Sequence, residues 1–231
     1  MRSQLRTILT WLLLVIPAAI AQSSTKTEVI FFGGHGASEK DIQSWVAKAS
    51  QAEPYKNYFN FRGKHFLGKR WDRKTSMSQN QEAVNELISE INNSPADKKY
   101  ILVGHSSGSA STFKIAAGID ESRRSQIHVV NLDGFSPREV PRGVATTCWT
   151  ARDIRTRVGT ENSENMERCR DSQVMLAHDC KSNEKCLHNS LVNLLSPQAG
   201  PHGYYKSISP NLSWLKMPAA GATAEAPEAV R

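Results

Sequence analysis

Short, wholly apolar runs alternate along this chain with longer stretches in which apolar residues recur every three or four positions. Val29-Ile30-Phe31-Phe32 stops at Gly33-Gly34-His35-Gly36, the pattern of a buried strand entering a tight loop. Ile42, Trp45, Val46 and Ala49 then fall on one face of a helix, with Ser38 and Asp41 at the spacing of a capping box. Residues 55–61 predict a second strand. The second helix has Ser78 and Gln81 as its cap, Val84, Leu87, Ile88 and Ile91 as its buried stripe, and Pro95 to close it. Tyr100-Ile101-Leu102-Val103 predicts a third strand, followed by a turn at Gly104–Gly108 and a helix of small residues with Phe113 and Ile115. Three more strands are expected: Ile127–Leu132, a weaker one over Ala145–Thr150, and Val174–Ala177. Strands that alternate with helices make parallel pairs, so the expected class is α/β, a mainly parallel central sheet flanked by helices on both faces. No internal repeat is visible, and the charged stretch Arg152 to Asp171 predicts a surface loop or short helix.

The two ends stand outside that pattern. Arg2 and Arg6 precede an apolar run from Ile8 to Ile16, and Ala19-Ile20-Ala21 supplies small residues for cleavage, so residues 1–21 predict an export signal. The run is shorter than the roughly 20 residues of a membrane span. Residues 22–216 predict a single domain, and 217–231, rich in Ala, Pro, Gly and Glu, a disordered tail. Secretion or a periplasmic location is therefore expected, without stable membrane insertion.

Charge and cysteines sharpen this picture. Past residue 21 the chain keeps 27 Lys+Arg against 22 Asp+Glu, a net charge of +5 that suits anionic surfaces or substrates; no nucleic-acid motif accompanies it. All four cysteines lie in the last two fifths of the chain, and an even count in an exported protein reads as disulfides stapling the C-terminal part. Loop closure favours the shortest separation, Cys180 with Cys186, which leaves Cys148 with Cys169. No C-x-x-C pair points to a metal.

Gly104-His105-Ser106-Ser107-Gly108 fits G-x-S-x-G, in which glycines let the chain turn sharply from strand to helix with the serine at the apex. A strand precedes it and a helix follows, the context the motif requires. Ser106 is therefore the expected nucleophile, with the helix N-terminus behind it where an oxyanion would form.

From this point the chain beyond the export signal resembles the α/β-hydrolase family, especially its small lidless esterases and cutinase-like members. The resemblance implies a minimal α/β-hydrolase fold and a serine hydrolase acting on a carboxylic ester or related acyl bond through a Ser-His-Asp triad. It implies that the N–H groups of Ser107 and of His35 or its neighbour form the oxyanion hole, and that no cofactor is needed. In the family the acid and then the histidine follow the serine. His128 lies inside a strand, which leaves His188, His178 and His202. His188, after the last strand and before an apolar helical segment, is favoured; His178 is the runner-up, and His202 sits in a surface turn between Pro201 and Gly203. Asp133, at the end of the strand Ile127–Leu132, is the favoured acid. Most of the family draws its acid from the next strand end, where Asp153 stands, and Glu161 is a third candidate.

The expected partner is a small-molecule or surface-displayed ester, acted on by a monomer. Aromatics interleaved with cations between Tyr55 and Lys74 could grip an anionic substrate, or could simply be a strand and a solvated loop. A peptidase, an amidase or an acyltransferase would share the triad, and a scaffold that has lost catalysis would bind without turnover.

Overall fold

The structure, a computed structural model, describes residues 26–34, 37–51, 59–64, 75–134, 140–156, 159–160, 169, 171–177, 180 and 183–192. The expected export signal, the tail, His35, Glu161, His178, His202 and most of the 55–74 segment lie outside the described residues. Among the described residues six strands form one sheet: β1 (Thr27–Phe32), β2 (Phe59–Lys64), β3 (Tyr100–His105), β4 (Ile127–Leu132), β5 (Ala145–Asp153) and β6 (Asp171–Ala177), in the spatial order β2-β1-β3-β4-β5-β6. Every neighbouring pair is parallel. The helices are α1 (Glu39–Ser50), α2 (Thr75–Asn92), α3 (Gly108–Gly118) and α4 (Glu184–Ser190), with a 3₁₀ turn over Glu121–Gln126.

The wholly apolar strands are explained by burial on both faces. Val29, Phe31, Ile101, Val103, Val130 and Leu132 share one core with Ile42 and Ala49 of α1 and Leu187 of α4. The alternate residues Ile30, Phe32, Tyr100, Leu102 and Val129 share a second core with Val84, Leu87 and Ile91 of α2 and Phe113 and Ile115 of α3. Crossovers between parallel strands are right-handed. The chain steps outward from β1 to β2 and then back past β1 to β3, so α1 and α2 must lie on opposite faces. Between β1 and β3 the direction of winding reverses, and the carboxyl ends of the strands on either side of that reversal leave a crevice.

Several sequence boundaries needed correction. The capping box of α1 is formed as expected, with Ser38 and Asp41 bonding each other's backbone N–H. The second helix starts at Thr75, so Ser78 lies inside it and is not its cap. Residues 75–78 have one apolar member and give a hydrophobic pattern no phase there. The second strand runs over Phe59–Lys64, three residues beyond the expected end at Phe61. The expected weaker strand is the longest, nine residues, and takes in Arg152 and Asp153 from the supposed loop. Its Thr-rich sequence hides it, because Thr146, Thr147 and Thr150 are buried though polar.

Cys148 on β5 is paired with Cys169 ahead of β6, and Cys180 after β6 with Cys186 on α4, at Cα separations of 6.0 and 5.4 Å. The second bond ties α4 to the end of the sheet. Among the described residues no helix is long and apolar enough to cross a membrane.

Candidate active site

Ser106 follows β3 directly and holds φ at +54°, a left-handed conformation that side chains other than glycine seldom adopt. Such strain persists only where the surroundings fix it. Here the Ser106 N–H donates to the Leu132 carbonyl at 3.1 Å, and the Ser106 carbonyl accepts from the Ser109 N–H at 3.1 Å in the first turn of α3. Gly108 is required by close approach, since a side chain there would run into the Phe32 carbonyl at the end of β1. Ser107 forms the N-cap of α3, where backbone N–H groups have no partner within the helix.

Asp133 follows β4, one strand over, and also holds a left-handed φ, +46°. Its N–H donates to the Trp149 carbonyl at 2.8 Å, and Asn131 shapes the loop. The Asn131 Oδ1 accepts from the Gly134 N–H at 2.7 Å and the Ser109 hydroxyl at 2.8 Å, while its Nδ2 donates to the Gly134 carbonyl at 3.2 Å. The Ser109 hydroxyl also reaches the Gly104 carbonyl at 2.7 Å. One buried polar network thus ties the serine turn to the aspartate loop. Sequence reading missed Asn131 and Ser109, because a polar residue inside an apolar pattern looks like noise until its partners are known.

His188 Nδ1 donates to Asp133 Oδ2 at 2.6 Å, a short charge-assisted bond to an aspartate that is almost wholly buried. The expected loop position of His188 is corrected: it lies in the last turn of α4. Asn183 starts that helix early by accepting from the Cys186 N–H at 3.0 Å. His105, the residue before Ser106, lies against the same group, its Nε2 3.0 Å from the His188 carbonyl. The structure therefore brings Asp133 and His188 into direct contact, and ties Ser106 to the same region through its N–H bond to Leu132, which precedes Asp133, and through its chain neighbour His105.

The rival groups have other partners. Asp153 is buried at the end of β5, where its Oδ1 accepts from the N–H groups of Arg155 and Thr156 at 2.9 and 2.8 Å and from the Thr156 hydroxyl at 3.1 Å. It shapes a turn. His128 is buried within β4 with its Nε2 2.8 Å from the Thr147 hydroxyl. The glycine loop after β1 comes down on Ser106, since a Cβ on Gly34 would stand 2.6 Å from Ser106 Cβ and 3.1 Å from its Oγ. Among the described residues no group of His, Cys, Asp and Glu could hold a metal ion.

Burial pushes the His105 pKa down to about 4; the bond to the His188 carbonyl raises it, the His188 ring lowers it and Asp133 raises it, in falling order of size. A histidine with a folded pKa below its unfolded value of about 6.5 contributes stability above that pH and loses it as pH falls through the folded pKa. The thermal midpoint is therefore expected to drop between about pH 6.5 and 4, by the equivalent of about 3 kcal/mol, and to drop less in His105→Gln. A melting series across that range checks it.

No protein-family model matches the sequence. No curated protein matches it. Solved structures do match. A lidless α/β serine hydrolase from Xanthomonas campestris aligns over 83% of this chain and 86% of its own, at 12% identity and a TM-score of 0.50. A cutinase-like protein from Cryptococcus sp. aligns over 81% of this chain and 96% of its own, at 11% identity and a TM-score of 0.44. Est1E from Butyrivibrio proteoclasticus, solved with ferulic acid bound, aligns over 75% and 90% at 13% identity and a TM-score of 0.44. With its parallel sheet in the order β2-β1-β3-β4-β5-β6 and helices on both faces, the chain has the α/β-hydrolase fold.

Proposed function

We propose that this protein is an exported serine hydrolase that cleaves a carboxylic ester or related acyl bond through Ser106, His188 and Asp133. The observation that carries the reading is the 2.6 Å bond from His188 Nδ1 to buried Asp133, at the sheet edge where Ser106 is held in a strained turn. A serine hydroxyl is a weak nucleophile until a base takes its proton. With Nδ1 engaged by the carboxylate, Nε2 of His188 is the nitrogen left to do so, and the buried negative charge of Asp133 stabilises the imidazolium that forms.

Ser106 Oγ attacks the acyl carbon as His188 takes its proton, and the oxyanion is held by the N–H groups of Ser107 and of His35 or its neighbour. His188 then protonates the leaving alcohol. Water, activated by the same histidine, hydrolyses the acyl-enzyme and frees Ser106. The fold shared with a lidless serine hydrolase supports this reading. In the same proposal residues 1–21 direct export, residues 22–216 form one domain and the protein acts as a monomer.

Fluorophosphonate labelling and p-nitrophenyl ester turnover of the purified protein test it. Wild type should label and turn over, and Ser106→Ala should do neither, with kcat lower by roughly 10⁶. A folded wild type that neither labels nor hydrolyses short or long esters would replace catalysis with binding as the better reading.

A further inference from the structure

His105 occupies the variable position of the G-x-S-x-G motif, and nothing in the triad chemistry asks for a histidine there. It ends β3 in register with Ile101 and Val103, which face α1 and α4. Its side chain is 7% exposed, with the Trp45 ring meeting it edge-on at 5.8 Å. The His188 ring also packs against it, at 4.4 Å between centroids and tilted by 38°. A buried polar ring is costly unless it is hydrogen-bonded. Among the described residues the titratable groups of other elements that act on it are His188 and Asp133, both in the proposed triad.

We propose that His105 is a positioning residue for His188, holding the end of α4 through a hydrogen bond from Nε2–H to the His188 carbonyl and holding the imidazole by ring contact. The inference rests on the reading of His188 as the base. A carbonyl can only accept, so the bond requires the proton on Nε2 of His105. The carbonyls in the last turn of a helix have no N–H partner within it, and that of His188 is one of these. A helix of seven residues has little stability of its own. Asn183 and the Cys180–Cys186 bond fix its start. His105 fixes the turn that carries the base, and so links the serine strand to the histidine helix.

Histidine NMR and kinetics on the whole protein, wild type, His105→Gln and His105→Phe, provide the test. Phe keeps the ring packing and lacks the N–H, whereas Gln places an N–H₂ close to where Nε2 stands. The downfield Nδ1–H resonance of His188 should be sharp in wild type and in His105→Gln and exchange-broadened in His105→Phe. In His105→Phe kcat should fall ten- to about a hundredfold with KM within about threefold, and Gln should recover most of the loss. The proposal is overturned if the resonance and kcat are unchanged in His105→Phe, if Gln does no better than Phe, or if ¹⁵N shifts put the wild-type His105 proton on Nδ1. The last readout needs no variant to fold. Resonance changes as expected in a protein that hydrolyses and labels with nothing would uphold the positioning role and remove the hydrolase reading.

Discussion

Replacing Asp133 with Asn is expected to lower ester turnover by about 10⁴-fold, while Asp153→Asn leaves it within about twofold. The two aspartates look alike in sequence, each at the carboxyl end of a strand and each buried. Their partners separate them. Asp133 accepts the Nδ1–H of His188, so an amide there can present N–H₂ to the ring and favour the wrong tautomer, leaving Nε2 protonated and unable to act as base. Asp153 instead accepts backbone and hydroxyl groups of its own turn, three contacts that hold residues 153–156. Asp153→Asn should therefore cost about 1 kcal/mol of stability, seen as a lower urea midpoint, with the pH–rate profile unchanged. Turnover collapsing in Asp153→Asn and surviving in Asp133→Asn would move the acid to β5.

The contrast shows what could be read from the sequence and what could not. Much of the strand and helix order came from the apolar pattern, since most of β1 and of β3, buried on both faces, is apolar and α1 and α2 repeat their stripes, whereas the buried threonines of β5 blurred it. The serine turn was legible because close packing demands glycine at fixed places around Ser106. The aspartate was harder, because a residue that ends a strand before Gly134 serves equally as turn former or acid, and only a contact across 55 residues tells them apart. His188 was picked by chain order but misplaced locally, because Asn183, which starts α4, is a single polar residue that also suits a loop. Asn131, Ser109 and His105 carried no local signal, since their partners lie on other strands and helices. What depends on long-range polar contacts escapes a pattern of apolar positions.

Two glycines at this site should fail in different ways when changed to alanine, one chiefly in stability and the other chiefly in turnover. Gly134 lies buried where the aspartate loop crosses the serine turn, and a methyl group there would run into the Ser109 side chain and the Ser106 carbonyl. Neither can yield freely: Ser109 is bonded to Asn131 and Gly104, and the Ser106 carbonyl holds the first turn of α3. Gly134→Ala should therefore cost at least about 3 kcal/mol, the upper end for overpacking a core, and lower the thermal midpoint accordingly. Gly34 is only partly buried and sits on a loop, with its added Cβ 2.6 Å from Ser106 Cβ, 2.8 Å from the His105 carbonyl and 3.1 Å from Ser106 Oγ. The loop must move by roughly 0.8 Å to bring the 2.6 Å contact out to an ordinary 3.4 Å, against a turn that does not yield, so stability should fall by about 1–2 kcal/mol, less than in Gly134→Ala. The methyl group would nonetheless stand beside the nucleophile, where an acyl carbon must approach, and the displaced loop is the one proposed to complete the oxyanion hole. Turnover in Gly34→Ala should drop by about 10² or more, with fluorophosphonate labelling slowed in parallel. Full activity in a well-folded Gly34→Ala would mean that acyl groups reach Ser106 from another side, and the oxyanion donors would then have to be sought away from the loop after β1.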